Sequence, residues 1–245
     1  RYFALYFDVD ETNFGEYYTP RWKEDIIAFH DPRSDHYYVT SNHDGTFTAQ
    51  NRIVDFNGDW QNYGSDVVAD FDNDGDLDLL LGYSEDTGQV YEYHYYEQTL
   101  SDPIFFQDNG MAFDGLSEQI FSDATAGDFN EDGYIDAIVS TDTNRMYLLL
   151  NDQAGGFTEG EALFGDPNAK GKDTGDFNED GHLDFAYVEN SGLVYTYTGH
   201  GDGTFTRNAL GIDTDQDQWA ACTAVADFDN DNHDEVLLRT HDDDL

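Results

Sequence analysis

Gly127-Asp-Phe-Asn-Glu-Asp-Gly-Tyr-Ile-Asp136-Ala-Ile-Val139 places side-chain oxygens at positions 1, 3, 5 and 9 of one turn, then runs into an apolar stretch. The same pattern recurs as Ala69-Asp-Phe-Asp-Asn-Asp-Gly-Asp-Leu-Asp78, as Gly175-Asp-Phe-Asn-Glu-Asp-Gly-His-Leu-Asp184, and as Ala226-Asp-Phe-Asp-Asn-Asp-Asn-His-Asp-Glu235. The first aspartates fall at 70, 128, 176 and 227, so the spacings are 58, 48 and 51 residues. A second signature keeps the same phase: Asp44-Gly-Thr-Phe47, Gly155-Gly-Phe157 and Asp202-Gly-Thr-Phe205. Two motifs in register over one period mark an internal repeat, and a repeat decides the fold before any single element does.

Each unit reads as strands. Small and β-branched residues precede the acidic loop, as in Asp66-Val-Val-Ala69, and four to six apolar residues follow it, as in Leu77–Leu81. An alternating aromatic strand comes next, such as Leu193-Val-Tyr-Thr-Tyr-Thr198, and Gly-x-Phe opens a fourth. Period-two alternation and turn residues recur, with no amphipathic 3.6-residue stretch. Four strands per unit of about 50 residues is the pattern of a β-propeller blade. The fold class is therefore all-β, with a parallel β-helix of shorter coils as the alternative. The approximate units are residues 1–55, 56–114, 115–164, 165–211 and 212–245, in one domain. In the first, Leu5–Asp10 resembles the loop's entry and Asp25–Phe29 its exit. An insertion, Thr12 to Glu24, carries Arg21 and Lys23 there, so this copy is expected to hold no metal. The fifth unit stops after its second strand. Either the chain is a piece of a larger ring, or its N-terminal segment supplies the missing outer strands.

The loop chemistry points to calcium. Alternate side chains of a tight turn converge on one point, and Ca2+ takes six to eight hard oxygens in a flexible shell. Position 6 requires positive φ, which explains Gly75, Gly133 and Gly181, with Asn232 the next most tolerant residue. Position 7 is expected to contribute its carbonyl, leaving Asp76, Tyr134, His182 and His233 free to vary. Without a cation, the clustered carboxylates would repel one another. Magnesium fits less well, because it demands strict octahedral geometry. An EF-hand is excluded: position 12 is Leu81, Val139, Tyr187 or Leu238 rather than Glu, and no flanking helices are expected.

Asp-Phe-(Asp/Asn)-x-Asp-Gly-x-x-Asp loops combined with Gly-x-Phe strands resemble the FG-GAP/VCBS repeat family, whose blades also build integrin α-subunit heads. The resemblance is strong over residues 60–240 and weak over 1–59. It implies a calcium-binding β-propeller, commonly seven-bladed, usually outside the cell, serving in adhesion, as a lectin or beside secreted enzymes. The ligand sets it implies are Asp70, Asp72, Asp74 and Asp78; Asp128, Asn130, Asp132 and Asp136; Asp176, Asn178, Asp180 and Asp184; and Asp227, Asp229, Asp231 and Glu235. The fourth set departs from the pattern with Asn232 for Gly and Glu235 for Asp. Three to four structural calcium ions are expected.

Composition narrows the partners. Fifty-three Asp and Glu against 10 Lys and Arg give a formal net charge of -43. That excludes a nucleic-acid backbone binder and, without a bridging divalent cation, an anionic membrane surface. Aromatics at 16% exclude a disordered acidic tail. The lone Cys222 permits no internal disulfide and reads as a small buried hydrophobe. No apolar stretch reaches the roughly 18 residues of a membrane span. The N-terminus, Arg1-Tyr-Phe-Ala, reads as processed or cropped. No His-x-x-x-His pair, no Gly-x-Ser-x-Gly elbow and no phosphate cradle leading into a helix occurs. His182 and His233 read as exposed turn residues, and Trp22 and Trp60 as loop anchors or sugar-stacking rings. Two functions follow: a non-catalytic extracellular recognition, adhesion or scaffold domain for a protein or glycan, and an accessory or catalytic propeller of a polysaccharide-degrading enzyme. Ligand positions absorb 14 of the 53 acids. The remaining acidic excess fits a surface kept soluble in high salt.

Overall fold

The hairpin around each acidic loop has a single register. In the computed structural model, Ala69, Gly127, Gly175 and Ala226 pair with the position-9 residues Asp78, Asp136, Asp184 and Glu235. The loop is thus the connection between a unit's first and second strands, fixed at both ends by the ladder. Residues 3–7, 25–29, 36–41, 47–49, 60–75, 77–85, 91–101, 104–114, 120–141, 145–164, 170–189, 192–213, 222–226, 228 and 233–239 are described.

Four antiparallel meanders follow in sequence order. The first joins β1 (Phe3–Phe7), β2 (Asp25–Phe29), β3 (His36–Ser41) and β4 (Phe47–Ala49). The second joins β5 (Trp60–Ala69), β6 (Asp78–Glu85), β7 (Tyr91–Ser101) and β8 (Ile104–Asp114). The third joins β9 (Ile120–Gly127), β10 (Asp136–Thr141), β11 (Arg145–Asn151) and β12 (Phe157–Phe164). The fourth joins β13 (Lys170–Gly175), β14 (Asp184–Val188), β15 (Leu193–Gly199) and β16 (Phe205–Asp213). Last, β17 (Cys222–Ala226) and β18 (Glu235–Arg239) pair as a two-stranded sheet. No helix occurs among the described residues. Separate antiparallel meanders rule out the parallel β-helix. The N-terminal strands form a sheet of their own rather than completing the β17–β18 sheet. Trp60, expected in a loop, is the first residue of β5. Trp22, the insertion Thr12 to Glu24 and the side chain of Cys222 lie outside what is described.

The sheets pack face to face, and that packing explains the apolar runs. Along β10, Ala137 and Val139 face the preceding sheet, in a cluster with Val67, Phe71, Leu80 and Tyr95. Ile138 faces the following sheet, in a cluster with Phe129, Phe185, Tyr187 and Tyr197. β11 divides the same way, with Tyr147 and Leu149 on one face and Met146 and Leu148 on the other. A strand buried on both sides loses the polar half of its alternation, so it reads as a continuous hydrophobic stretch.

The two sequence signatures meet between sheets. Phe71, at position 2 of its loop, packs edge-on against Phe157 of the next Gly-x-Phe strand, with ring centroids 5.4 Å apart. Phe129 meets Phe205 in the same way at 5.6 Å. Edge-to-face geometry suits the ring quadrupoles. The first strands also approach closely, β5 to β9, β9 to β13 and β13 to β17. A Cβ on Gly127 would lie 2.8 Å from Leu183 Cδ1, and one on Gly175 would lie 2.7 Å from Val225 Cγ1. The following unit rests directly on those α-carbons.

Phe129 is 2% exposed at such a joint, whereas Phe228, its counterpart after β17, is 53% exposed. Phe129→Ala is therefore expected to cost about 3–5 kcal/mol and Phe228→Ala within about 0.5 kcal/mol, read from urea denaturation midpoints.

Candidate metal centre

Each acidic loop begins where a first strand ends, and its own amides fold it. Asp70 Oδ1 accepts the Asp74 N–H at 3.1 Å, and Asp70 Oδ2 accepts the Gly75 N–H at 3.1 Å. Asp72 Oδ1 accepts the same Asp74 N–H, also at 3.1 Å. The second loop repeats this with Asp128 receiving Asp132 and Gly133, and Asn130 receiving Asp132. The third does so with Asp176, Asp180, Gly181 and Asn178. The position-6 glycines have the anticipated positive φ, 95° at Gly75, 90° at Gly133 and 88° at Gly181. The amides of positions 5 and 6 close back onto the position-1 carboxylate, and the chain then leaves through the left-handed glycine.

Position 9 does something different. Asp78 accepts the Phe71 N–H on Oδ2 at 3.1 Å and the Gln98 N–H on Oδ1 at 3.0 Å, with Tyr95 Oη donating to Oδ2 at 3.0 Å. Asp136 accepts the Phe129 and Asn151 amides at 3.1 and 2.8 Å. Asp184 accepts the Phe177 and Gly199 amides at 3.0 and 2.9 Å. Glu235, longer by one methylene, still accepts the Phe228 N–H at 2.8 Å. In the first three loops this buried carboxylate ties the loop's start to the unit's third strand. Burial pushes the Asp78 carboxyl up to about 7 and the Asp136 carboxyl to about 6, against the pull of those amides. The nearby Asp72 charge adds to the rise at Asp78, as Asp132 and Asp128 do at Asp136. Asp184 is raised by the same burial.

Asp70, Asp72 and Asp78 offer carboxylate oxygens that all lie within 4.8 Å of one another. This donor set is hard, anionic and free of nitrogen and sulfur, so the residues present fit a hard divalent cation. A cation there would also offset the burial and repulsion that push Asp72 and Asp78 toward protonation. In the second and third loops Asn replaces the position-3 acid. There Asn130 Nδ2 donates to Asp132 Oδ2 at 3.0 Å, and Asn178 Nδ2 to Asp180 Oδ2 at 2.9 Å. Asp76, Asp227, Asp229, Asp231 and Asn232 lie outside the described residues.

Position 4 carries a role that the sequence did not announce. Asn73, Glu131 and Glu179 have φ of 61°, 57° and 60°, a conformation that is costly for residues bearing a Cβ. Each reaches the next loop. Asn73 Nδ2 donates to the Gly133 carbonyl at 2.8 Å. The Glu131 carboxylate pairs with His182 Nδ1, and the Glu179 carboxylate with His233 Nδ1. The two histidines, expected as plain turn residues, are thus engaged by the preceding loop. The third-strand end adds further links. Asn151 Nδ2 donates to the Phe71 carbonyl at 2.7 Å, and the Gly203 N–H donates to the Phe129 carbonyl at 3.0 Å. Gln98 holds Asn151's place in the 56–114 unit. Gln98 is 2% exposed, and its side-chain amide has no partner among the described residues.

Residues 128–185 and 176–238 match the family model of the FG-GAP-like repeat, a stretch that takes in the second, third and fourth loops. No curated protein matches the chain.

Positions 5 and 9 are separable by mutation. In the presence of a chelator, Asp136→Ala leaves two amides without their acceptor, at about 1–3 kcal/mol each. Asp132→Ala, at an exposed position, should cost less than about 1 kcal/mol under the same conditions. Urea denaturation of the two chelated variants checks the difference.

Proposed function

We propose, from the membership of residues 128–238 in the FG-GAP-like repeat family, that this chain is a calcium-stabilised β-propeller acting outside the cell as a non-catalytic recognition, adhesion or scaffold domain. The observation that carries the reading is the convergence of Asp70, Asp72 and Asp78, on a loop whose internal hydrogen bonds recur in the second and third copies. In each loop the residues at positions 1, 3 and 5 hold the ion, with position 9 beneath them and the position-7 carbonyl completing the shell. The full set is Asp70, Asp72, Asp74 and Asp78; Asp128, Asn130, Asp132 and Asp136; Asp176, Asn178, Asp180 and Asp184; and Asp227, Asp229, Asp231 and Glu235. When bound, calcium supplies charge neutralisation and a rigid cross-link between the first two strands of a unit.

The role is structural. The loops stand where neighbouring sheets meet, so fixing them fixes the relative placement of the sheets. A rigid face built this way suits a protein or glycan ligand, because binding then loses little conformational entropy. The chain carries a formal net charge of -43, which disfavours anionic partners and is screened in salty media.

Calcium at about 100 times its dissociation constant should stabilise the fold by about 2.7 kcal/mol for each occupied site. Thermal melting with calcium, with magnesium and with a chelator checks this. An unchanged melting temperature after chelation would sink the calcium reading. A glycan array probed with and without calcium tests the recognition role, with calcium-dependent binding expected.

A further inference from the structure

The position-4 side chains turn separate loops into one linked series along a single edge of the sheets. Three contacts run in the same direction, from position 4 of one loop to position 6 or 7 of the next: Asn73 to Gly133, Glu131 to His182, and Glu179 to His233. Each starts from a left-handed residue at Asn73, Glu131 or Glu179. Two of these are glutamates, for which that conformation has no intrinsic advantage. A further constraint protects the middle contact. A Cβ on Gly201, whose φ is 70°, would collide with both His182 Nδ1 and Glu131 Oε1. The turn between β15 and β16 therefore carries glycine where the Glu131–His182 pair passes. A fourth link runs backward, with Asp234 Oδ2 accepting the Asp176 N–H at 3.3 Å.

We propose that Glu131, with Asn73 and Glu179 in the same place on their loops, is a positioning residue that couples ion binding in neighbouring loops, so that filling one loop raises the affinity of the next. The inference rests on the calcium reading above. Glu131 lies between Asn130 and Asp132, both in the second loop's donor set, so ordering that loop fixes where its carboxylate stands. His182 lies between Gly181 and Leu183 in the third loop, two residues from both Asp180 and Asp184. A fixed Glu131 thus holds the third loop near its binding shape before an ion arrives. Part of the ordering entropy is then already lost, and by linkage the effect is reciprocal. The contact is partly exposed, so the coupling is expected to be about two- to fivefold in affinity.

The experiment follows the backbone amides of Gly133 and Gly181 by 15N NMR during calcium titration, giving each loop its own curve. Asp132→Ala, which removes a donor from the second loop, should move the Gly181 midpoint to about two- to fivefold higher calcium. In an Glu131→Ala background the same change should leave the Gly181 midpoint where Glu131→Ala alone puts it. Glu131→Gln, which keeps an acceptor for His182 Nδ1, should restore the coupling. A merely structural Glu131 would shift all loops together or none. Saturable curves with a Gly181 midpoint indifferent to Asp132→Ala would overturn the coupling while leaving calcium binding standing. Amides that do not respond to calcium would overturn both. Should Asp132→Ala fail to fold, the wild-type and Glu131→Ala curves decide, since loss of the coupling makes the titration less steep.

Discussion

The carboxylate at position 9 is the interaction on which the other contacts depend. In Asp78, Asp136 and Asp184 one oxygen takes an amide from the loop's second residue, and the other takes an amide from the third strand. Three backbone segments are thereby fixed by one buried side chain. An acid suits this place because an ionised carboxylate accepts without having to donate, and hydrogen bonds to it are stronger than neutral ones. An amide in its place would turn N–H groups toward N–H groups. The same burial that makes the latch strong makes its charge expensive, which is why Asp78 and Asp136 rest well above the usual carboxylate range. A cation held by the loop directly above such a group would answer that cost.

From this latch the packing between sheets follows. It sets the backbone at position 2, and the phenylalanine there is what the next unit's Gly-x-Phe strand covers, as in Phe71 with Phe157 and Phe129 with Phe205. The carbonyl of the same residue is claimed from the next unit too, by Asn151 in one case and by the Gly203 amide in the other. Loop, aromatic contact and hydrogen bond converge at one joint. The geometry at the third-strand end differs by unit. A Cβ on Gly199 would run into the Leu183 carbonyl, whereas Asn151 has room for a side chain that reaches both Phe71 and Ile135.

Much of this was legible in the sequence, because the repeat displays each constraint several times. The strand order, the turn glycines at position 6 and the apolar runs of doubly covered strands follow from composition and period alone. The acids at positions 1, 3, 5 and 9 were also evident, though as four equivalent ligands. Sequence spacing does not distinguish an exposed Asp132 from a buried Asp136, since that difference is made by third-strand amides about 15 residues away. Position 4 was hidden for another reason. Glutamate gives no sign of left-handed backbone, and its partner lies 51 residues further along the chain for Glu131. Trp60 was misplaced because its neighbours, Gly58, Asp59, Gln61 and Asn62, are turn-like in isolation. Pairing with β6 carries the strand from Trp60 through Gln61 and Asn62.

Charge gives these local devices a common logic. A chain with a formal charge of -43 disfavours its own compact state, most of all where acids are brought together. The fold brings them together at the sheet joints, where side chains of one unit already lean on backbone of the next. There the amides of positions 5 and 6 supply partial positive charge to the position-1 carboxylate, and His182 and His233 place nitrogen against the carboxylates of Glu131 and Glu179. These are short-range remedies, effective within a few ångströms and weakened by solvent at the rim. Divalent cations at the same places would act on several carboxylates at once and cost no extra side chains. The acidic loops are thus better understood as parts of the joints between sheets than as separate sites mounted on a finished fold.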